Sequence, residues 1–254
     1  MPLHRDTGVT KEHKDFQLPN PDSFEFQASH VWLRTDKDKM SVNTPTEKFR
    51  DTLNREAPTY DVTLTTEAVA GLSRYYELLN VWNARVHLVA PCTPREFAKR
   101  HVLESLMMLK HLPDNAEIAE VGAGAGLPTI PCLIVRPDVR AVLIEAAQKK
   151  TIFLREALVQ TGISARATVI NERFESVPTP AVGFVTCRAL ERFEEMLSHL
   201  LDWSPPQAML LLFGAKRLEA RIESLGFSST AELMPGSTGR FLFKVSRRGA
   251  AIRG

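Results

Sequence analysis

The sequence predicts an α/β fold with a doubly wound, mostly parallel, Rossmann-like sheet and an N-terminal helical cap. Three observations predict it. Short apolar runs alternate with segments of helical periodicity from residue 117 onward, the first run ends in the glycine-rich loop IAEVGAGAGLP, and the second run ends in an acid. Strands that alternate with helices in this way form parallel sheets that helices cover on both faces. The chain of 254 residues is long enough for one such domain with an extension.

The domain organisation follows from a change of pattern along the chain. Residues 1–47 mix acids and bases, contain prolines and show no period, which predicts an extension that is poorly ordered or docked on the rest. Residues 48–254 form the predicted globular domain. We assign its helical cap to residues 48–114 and its Rossmann-like core to residues 115–254.

Two helices are predicted in the cap. Thr65 can cap the first, whose apolar positions recur at steps of three and four residues as far as Trp82. The second begins at Thr93 with the capping box TPRE, which has proline at its first helical position. This helix is expected to run to about His111, where a following proline helps to end it.

The core elements follow from apolar runs, helical periodicity and the residues between them. The predicted strands cover residues 118–121, 141–145, 167–170, 183–187, 208–213 and 241–245. The predicted helices cover residues 128–136, 149–161 and 215–225. Gly162 is placed to cap the second of these helices at its C-terminus. We expect the last strand to pair antiparallel with residues near Thr230.

The loop after the first strand contains Gly122, Gly124 and Gly126, and Glu120 stands two residues before the first of them. The spacing G-x-G-x-G differs from the G-x-G-x-x-G of nicotinamide dinucleotide sites, because Leu127 occupies the position of the third glycine in that pattern. No Walker-type Gly-Lys-Ser/Thr follows to hold a triphosphate. The loop therefore suits a ligand without phosphates, S-adenosylmethionine (SAM), whose carboxylate can accept hydrogen bonds from the N–H groups of the loop.

Glu145 closes the second predicted strand and is placed to accept hydrogen bonds from ribose hydroxyls. An acid at this point is also typical of NAD sites, so Glu145 by itself leaves both cofactors open. The glycine spacing favours SAM, and an NAD(P)-dependent oxidoreductase is the alternative.

The fourth strand gives information about the methyl acceptor. The segment VTCRA lacks the Asn/Asp-Pro-Pro-aromatic tetrapeptide that is typical of enzymes that methylate exocyclic amines of bases. Carbon methylation of a pyrimidine needs a thiolate, and Cys187 is more typical of a small, semi-buried residue. An acceptor that is already nucleophilic, such as guanine N7, requires mainly alignment with the methyl group. The lack of a recognisable general base agrees with such an acceptor.

Several motifs occur in a specific order between about residue 49 and residue 245. They are Tyr76-x-x-Leu79-x-x-Trp82-Asn83, Arg100-His101-x-x-Glu104-Ser105-Leu106, EVGAGAGLPxIP from Glu120 to Pro131, Glu145-x-x-x-Lys149-Lys150-x-x-Phe153-Leu154, Arg173-Phe174-Glu175 and Cys187-Arg188-Ala189. In this respect the chain resembles the bacterial 16S ribosomal RNA methyltransferase G family, also called glucose-inhibited division protein B.

The resemblance implies a class I SAM-dependent methyltransferase sheet and transfer of a methyl group from SAM to N7 of a guanosine in 16S rRNA. Together with the glycine loop, it leads to the predicted cofactor-binding residues Gly122, Gly124, Gly126, Leu127, Glu145, Phe174, Glu175 and Arg188. The predicted catalytic residues are Arg188 and His101, and the predicted RNA contacts are Arg100, Lys149, Lys150 and Lys216. No metal is expected.

Structural alternatives stand beside these roles. His101 can be a packed, hydrogen-bonded histidine one turn after Phe97. Arg188 can form a structural salt bridge, with Glu145 or Glu175 as its partner. The lysines can simply be solvated.

The chain departs from the family pattern at four places. Glu104 stands where the family usually has Asp, and it can pair with Arg100 on the surface of its helix. The tripeptide that begins at His87 replaces Asn-Leu-Thr, Cys187 replaces Ser, and Lys216 is displaced from the end of the fifth strand.

The bulk composition sets broader limits. A net charge of +2 and a pI near 8.5 permit an RNA partner without requiring one. Three distant cysteines without zinc spacing are typical of reduced thiols, and neither a secretion signal nor a transmembrane run is recognisable. We therefore expect a cytoplasmic monomer without membrane contact that acts on 16S rRNA or the 30S subunit. Methylation of a small molecule or a protein, and SAM-responsive binding without catalysis, stay open as alternatives.

Overall fold

The computed structural model describes residues 44–188 and 193–247, with the backbone alone at 193 and 194. The predicted extension lies outside the described residues as far as residue 43. Helix α1 (Pro45–Glu56) begins with a capping box, in which Thr44 and Glu47 each accept the backbone N–H of the other. This helix was not predicted, and it starts three residues before the expected boundary at 48.

A seven-stranded sheet forms the centre of the described structure, in the order β3-β2-β1-β4-β5-β7-β6. The strands are β1 (Glu117–Val121), β2 (Arg140–Ile144), β3 (Ala167–Ile170), β4 (Phe184–Arg188), β5 (Met209–Ala215), β6 (Phe227–Leu233) and β7 (Arg240–Arg247). Strands β1 to β5 are parallel, and β7 pairs antiparallel with β5 and β6. The predicted α/β fold and mostly parallel sheet are confirmed, as is the antiparallel pairing of Thr230, whose partner is Lys244.

Helices flank the sheet. They are α2 (Thr66–Val86), α3 (Pro94–Glu96), α4 (Glu104–Leu106), α5 (Thr129–Val135), α6 (Gln148–Gln160), α7 (Phe193–Trp203) and α8 (Arg217–Ser224). Helix α7 was not predicted. The helix predicted from Thr93 to about His111 changes its winding, because a π segment (Phe97–Leu103) joins α3 to α4 and a 3₁₀ segment (Met107–His111) ends it.

Apolar side chains of alternate residues in each central strand enter two different clusters, as the period of a strand requires. In β5, Leu211 belongs to the cluster that also contains the N-terminal helices, whereas Leu210 belongs to the cluster with α7 and α8. The N-terminal helices therefore pack on one face of the sheet. Tyr75 of α2 is fully buried, and its hydroxyl donates a hydrogen bond of 2.7 Å to the carbonyl of Ala125 in the glycine loop. Among the described helices, none combines the length and the apolar character needed to cross a membrane.

Candidate active site

The parallel strands bring most of the predicted site residues to one edge of the sheet. The glycine loop follows β1, Glu145 follows β2, and Phe174 lies in a 3₁₀ turn after β3. Arg188 ends β4, and Lys216 follows β5. The carboxyl ends of parallel strands, next to the reversal of strand order between β1 and β4, are the usual ligand-binding edge of such a sheet.

The three glycines of the loop adopt left-handed backbone conformations. Their φ angles are 68° at Gly122, 53° at Gly124 and 77° at Gly126. Residues that carry a Cβ atom rarely adopt this conformation. The N–H groups of Gly122 and Ala123 both donate to the carbonyl of Ile144, at 2.9 and 3.1 Å. The loop therefore folds back over the end of β2. These two N–H groups are used within the chain, so the expected contact of the loop with the carboxylate of a ligand would have to come from other N–H groups of the loop.

Gly126 has a packing role that the sequence pattern did not predict. A Cβ atom there would lie 2.3 Å from Ile130 Cδ1 and 3.1 Å from Leu154 Cδ2. The missing side chain lets the loop pass against α5 and α6. Leu127, the next residue, is buried, and it precedes a cis peptide bond to Pro128.

Glu145 is held at the end of β2 by two backbone hydrogen bonds. Its Oε2 atom accepts the N–H of Gly124 and its Oε1 atom accepts the N–H of Ala147, both at 2.8 Å. The side chain is largely buried. Each carboxylate oxygen has a second lone pair, so the group can still accept hydrogen bonds from hydroxyls of a ligand.

Glu120 is a feature to which the sequence analysis assigned no role, although its place two residues before the first glycine was visible. It is fully buried in β1, and its Oε2 atom accepts the N–H of Thr129 at 3.2 Å. Its Oε1 atom and the Thr129 hydroxyl have no hydrogen-bond partner among the described residues. Burial raises the pKa of Glu120 to about 8, against the opposing effects of the hydrogen bond from Thr129 and the charge of Arg188. A buried carboxyl oxygen without a donor, such as Oε1 here, is costly unless a ligand supplies one.

Arg188 is anchored to the helical cap. Its guanidinium donates to Ser105 Oγ at 3.1 Å, to Glu104 Oε2 at 3.3 Å and to the carbonyl of Arg100. Glu104 is 1% exposed, and its other oxygen, Oε1, accepts Nε and Nη2 of Arg240 at 2.9 and 2.8 Å. The suggested surface pair of Arg100 with Glu104 is therefore wrong. The ion-pair partner of Arg188 is Glu104 rather than the Glu145 or Glu175 suggested as alternatives.

The winding of the helix accounts for part of this arrangement. In the π segment the N–H of Glu104 donates to the carbonyl of Lys99, five residues earlier. Such wide turns are frequent at functional sites. Here the wide turn carries Arg100 and His101, directly before the buried Glu104 and Ser105.

His101 packs against Phe97, with 5.1 Å between ring centroids. Burial, together with the positive charges of Arg188 and Arg100, lowers the pKa of His101 to about 4. The imidazole is therefore neutral at physiological pH. Its neighbours agree with the packed histidine that was left open as an alternative.

The remaining predicted residues differ in burial. Phe174 is buried and meets Trp203 edge to face at 5.7 Å, whereas the next residue, Glu175, is exposed. Lys149 and Lys150 lie in the first turn of α6. Lys216 precedes α8 and has two neighbours. Its Nζ atom forms a 2.6 Å ion pair with Glu219 and lies 5.5 Å from the ring centroid of Phe241.

The fold and this edge of the sheet define a class I SAM-dependent methyltransferase. The similar solved structures agree in fold. Mitomycin 7-O-methyltransferase MmcR is 13% identical with a TM-score of 0.51, over 80% of this chain and 69% of that one. A possible exported protein from Bordetella parapertussis is 11% identical with a TM-score of 0.51, over 83% of this chain and 99% of that one.

The family is shown by sequence. The model of the GidB family, rRNA small subunit methyltransferase G, matches residues 68–235, and the chain belongs to this family. Proteins named ribosomal RNA small subunit methyltransferase G include one from Nitrosomonas eutropha, which is 35% identical over 54% of this chain and 70% of the relative. One from Sorangium cellulosum is 32% identical over 70% of this chain and 76% of the relative. The resemblance stated from the motifs is confirmed.

Proposed function

We propose that this protein transfers a methyl group from SAM to N7 of a guanosine in 16S rRNA. The observation that carries the proposal is the family match over residues 68–235, which contains the glycine loop and both carboxylates of the candidate site. Bound SAM supplies an electrophilic methyl group on a sulfonium. The residues of the chain have to bind it, orient it and align the acceptor.

The two buried carboxyl groups fit the polar parts of SAM. Glu120 offers an unpaired oxygen beneath the loop, next to the unpaired hydroxyl of Thr129, and an α-ammonium group would satisfy that carboxyl. Glu145, fixed by the N–H groups of Gly124 and Ala147, is suited to the two ribose hydroxyls. Glu120 lies near the carboxyl end of β1 and Glu145 directly follows the neighbouring strand β2, so one nucleoside with an amino-acid tail can meet both.

The other cofactor contacts remain proposals on the same edge of the sheet. We assign the cofactor to the loop residues Gly122, Gly124, Gly126 and Leu127 and to Glu145, Phe174, Glu175 and Arg188. The space left at Gly126 is filled by α5 and α6, so a contact there would come from its backbone. Arg188 would border the methionine part, in an orientation that Glu104 and Ser105 fix.

The acceptor chemistry requires alignment more than proton transfer. Guanine N7 has a free lone pair and needs no base, whereas carbon methylation would need an accessible thiolate. Cys187 is fully buried in β4, and a neutral His101 is better suited to form a wall of the site than to carry charge.

The proposed RNA contacts lie on both sides of the cofactor edge. Lys149 and Lys150 follow β2, Lys216 follows β5, and Arg100 lies in the π segment beside Arg188. Such a spread suits a folded rRNA loop in the 30S subunit rather than a small metabolite. We propose that the enzyme acts as a monomer in the cytoplasm, where ribosomal subunits are assembled.

The test uses labelled SAM with two substrates, a 16S rRNA transcript and 30S subunits from cells that lack this protein. We expect label in 16S rRNA, and 7-methylguanosine as the modified nucleoside after digestion and mass spectrometry. The Glu145→Ala variant should lose transfer, whereas Glu172→Ala, an exposed glutamate near the end of β3, should retain it. Label that enters neither RNA substrate, or a different methylated nucleoside, would refute the proposal.

A further inference from the structure

The buried Glu104 carboxylate joins two arginines that come from different strands. Arg188 ends β4, and Arg240 begins β7. The arginines bind opposite oxygens of the carboxylate, Arg188 at Oε2 and Arg240 at Oε1. Two positive groups share one negative group, so the cluster has an excess of one positive charge.

The two arginines differ in what is left free. The side chain of Arg188 is 15% exposed, and its Nη1 and Nη2 groups donate hydrogen bonds to Ser105, Glu104 and the carbonyl of Arg100. Arg240 is 41% exposed and uses Nε and Nη2 on one oxygen of Glu104. Its Nη1 group has no hydrogen-bond partner among the described residues. A guanidinium has five N–H donors, and those on Nη1 of Arg240 are therefore open to solvent.

The strand order places Arg240 away from the cofactor loop. Arg240 pairs with Ala215, the last residue of β5, so it starts at the same edge as the candidate site. Strand β7 is three positions from β1, or roughly 14 Å along the sheet, at about 4.8 Å per strand. Glu104 lies between the two guanidiniums, with Arg188 on the strand next to β1 and its glycine loop and Arg240 two strands farther away.

We propose that Arg240 binds a backbone phosphate of the RNA substrate and that Glu104 is the residue that positions it. The inference rests on the proposed function, because it assigns a substrate contact at the same site. A guanidinium held through one edge retains its planar fork for bidentate binding of phosphate. Because the carboxylate already fixes the side chain, less rotamer freedom is lost when the phosphate binds. Lys216 and Phe241, which lie next to Arg240 at the ends of β5 and β7, continue the same surface.

The Arg240→Gln variant tests the contact. Its affinity for a 16S rRNA transcript should fall about tenfold at moderate salt, and the slope of log K against log salt should decrease by about 0.7 to 1. SAM affinity should stay within about twofold of wild type, because Arg188 keeps its three partners. The matched control is Arg140→Gln, an exposed arginine at the start of β2 on the opposite edge of the sheet, which should leave both quantities unchanged.

A purely structural role for Arg240 predicts a different pattern. Thermal stability and SAM affinity would then fall together, and the salt slope would stay at the wild-type value, which would overturn the inference. Arg240→Lys keeps the charge but not the fork, so it should keep the salt slope and lose RNA affinity. It carries the test if the glutamine variant does not fold.

Glu104 is tested by two variants. Glu104→Gln should raise KM for RNA and alter SAM affinity through Arg188, and Glu104→Asp should restore RNA binding in part. Wild-type RNA affinity and salt slope in the glutamine variant would overturn the positioning role. If the wild-type protein transferred no label to 16S rRNA, the proposed function would fail instead, so the two failures can be told apart.

Discussion

The substitution Glu120→Gln tests whether the buried carboxyl of Glu120 is protonated in the folded protein without cofactor. The change keeps the shape of the side chain and an oxygen that can accept the N–H of Thr129, and it removes the titrating proton. Burial raises the pKa of Glu120 to about 8, compared with 4.5 for an unperturbed glutamate. Between these values the folded protein without cofactor keeps a proton that the unfolded chain has lost. The free energy of unfolding of the wild type should therefore decrease as the pH rises from about 4.5 to about 8.

The size of the effect follows from the same interval. At about 1.4 kcal/mol per pH unit the upper limit is about 5 kcal/mol. Water penetration and relaxation around the carboxyl reduce it, and we expect roughly 2–4 kcal/mol. Without cofactor, the glutamine variant should therefore be more stable than wild type at pH 8 and about equal to it at pH 5.

Urea unfolding at several pH values between 5 and 8 measures this difference. Glu117→Gln, at the exposed start of the same strand, is the control and should follow the wild type at each pH. The SAM affinity of wild type should rise with pH until Glu120 is ionised, and the glutamine variant should bind SAM about 10- to 100-fold more weakly at pH 8. A difference in stability between Glu120→Gln and wild type that does not vary with pH would refute the reasoning.

Three further predictions concern the loop and the neutral imidazole. Gly126→Ala should cost roughly 2–4 kcal/mol of stability in urea unfolding, because its Cβ would collide with Ile130. The control is Gly162→Ala, which has a similar φ of 74° and no atom within 4 Å of the added Cβ, and it should cost only about 1 kcal/mol. Equal losses in the two variants would contradict the packing role of Gly126. Tyr75→Phe removes the hydrogen bond to the carbonyl of Ala125, so it should cost about 1–3 kcal/mol of stability and weaken SAM binding. Thermal shift with and without SAM measures both effects. Unchanged values would show that the hydroxyl does not support the loop. With SAM and RNA saturating, kcat should show no acidic limb near pH 6.5, because His101 is already neutral there; a limb that disappears in His101→Asn would contradict this.

Local patterns predicted most of the fold. The alternation of strands and helices, the capping box at Thr93 and the C-terminal cap at Gly162 each depend on residues within a few positions of one another. Helix α1 begins with the same arrangement, Thr44-Pro45-x-Glu47, yet it lies in a charged segment and was missed. Helix α7 was also missed, although Leu197, Leu200 and Leu201 have helical spacing.

The sequence by itself determined the doubly wound core, the glycine loop and the acid at the end of β2, because periodicity and turn chemistry act over short stretches of chain. Only the tertiary structure decided the roles of Glu104 and Glu120. Glu104 meets Arg188 and Arg240, which lie 84 and 136 residues away in sequence, and no local pattern marks such a contact. Glu120 acquires its raised pKa from the surroundings that bury it, which exist only once the sheet and its helices have packed.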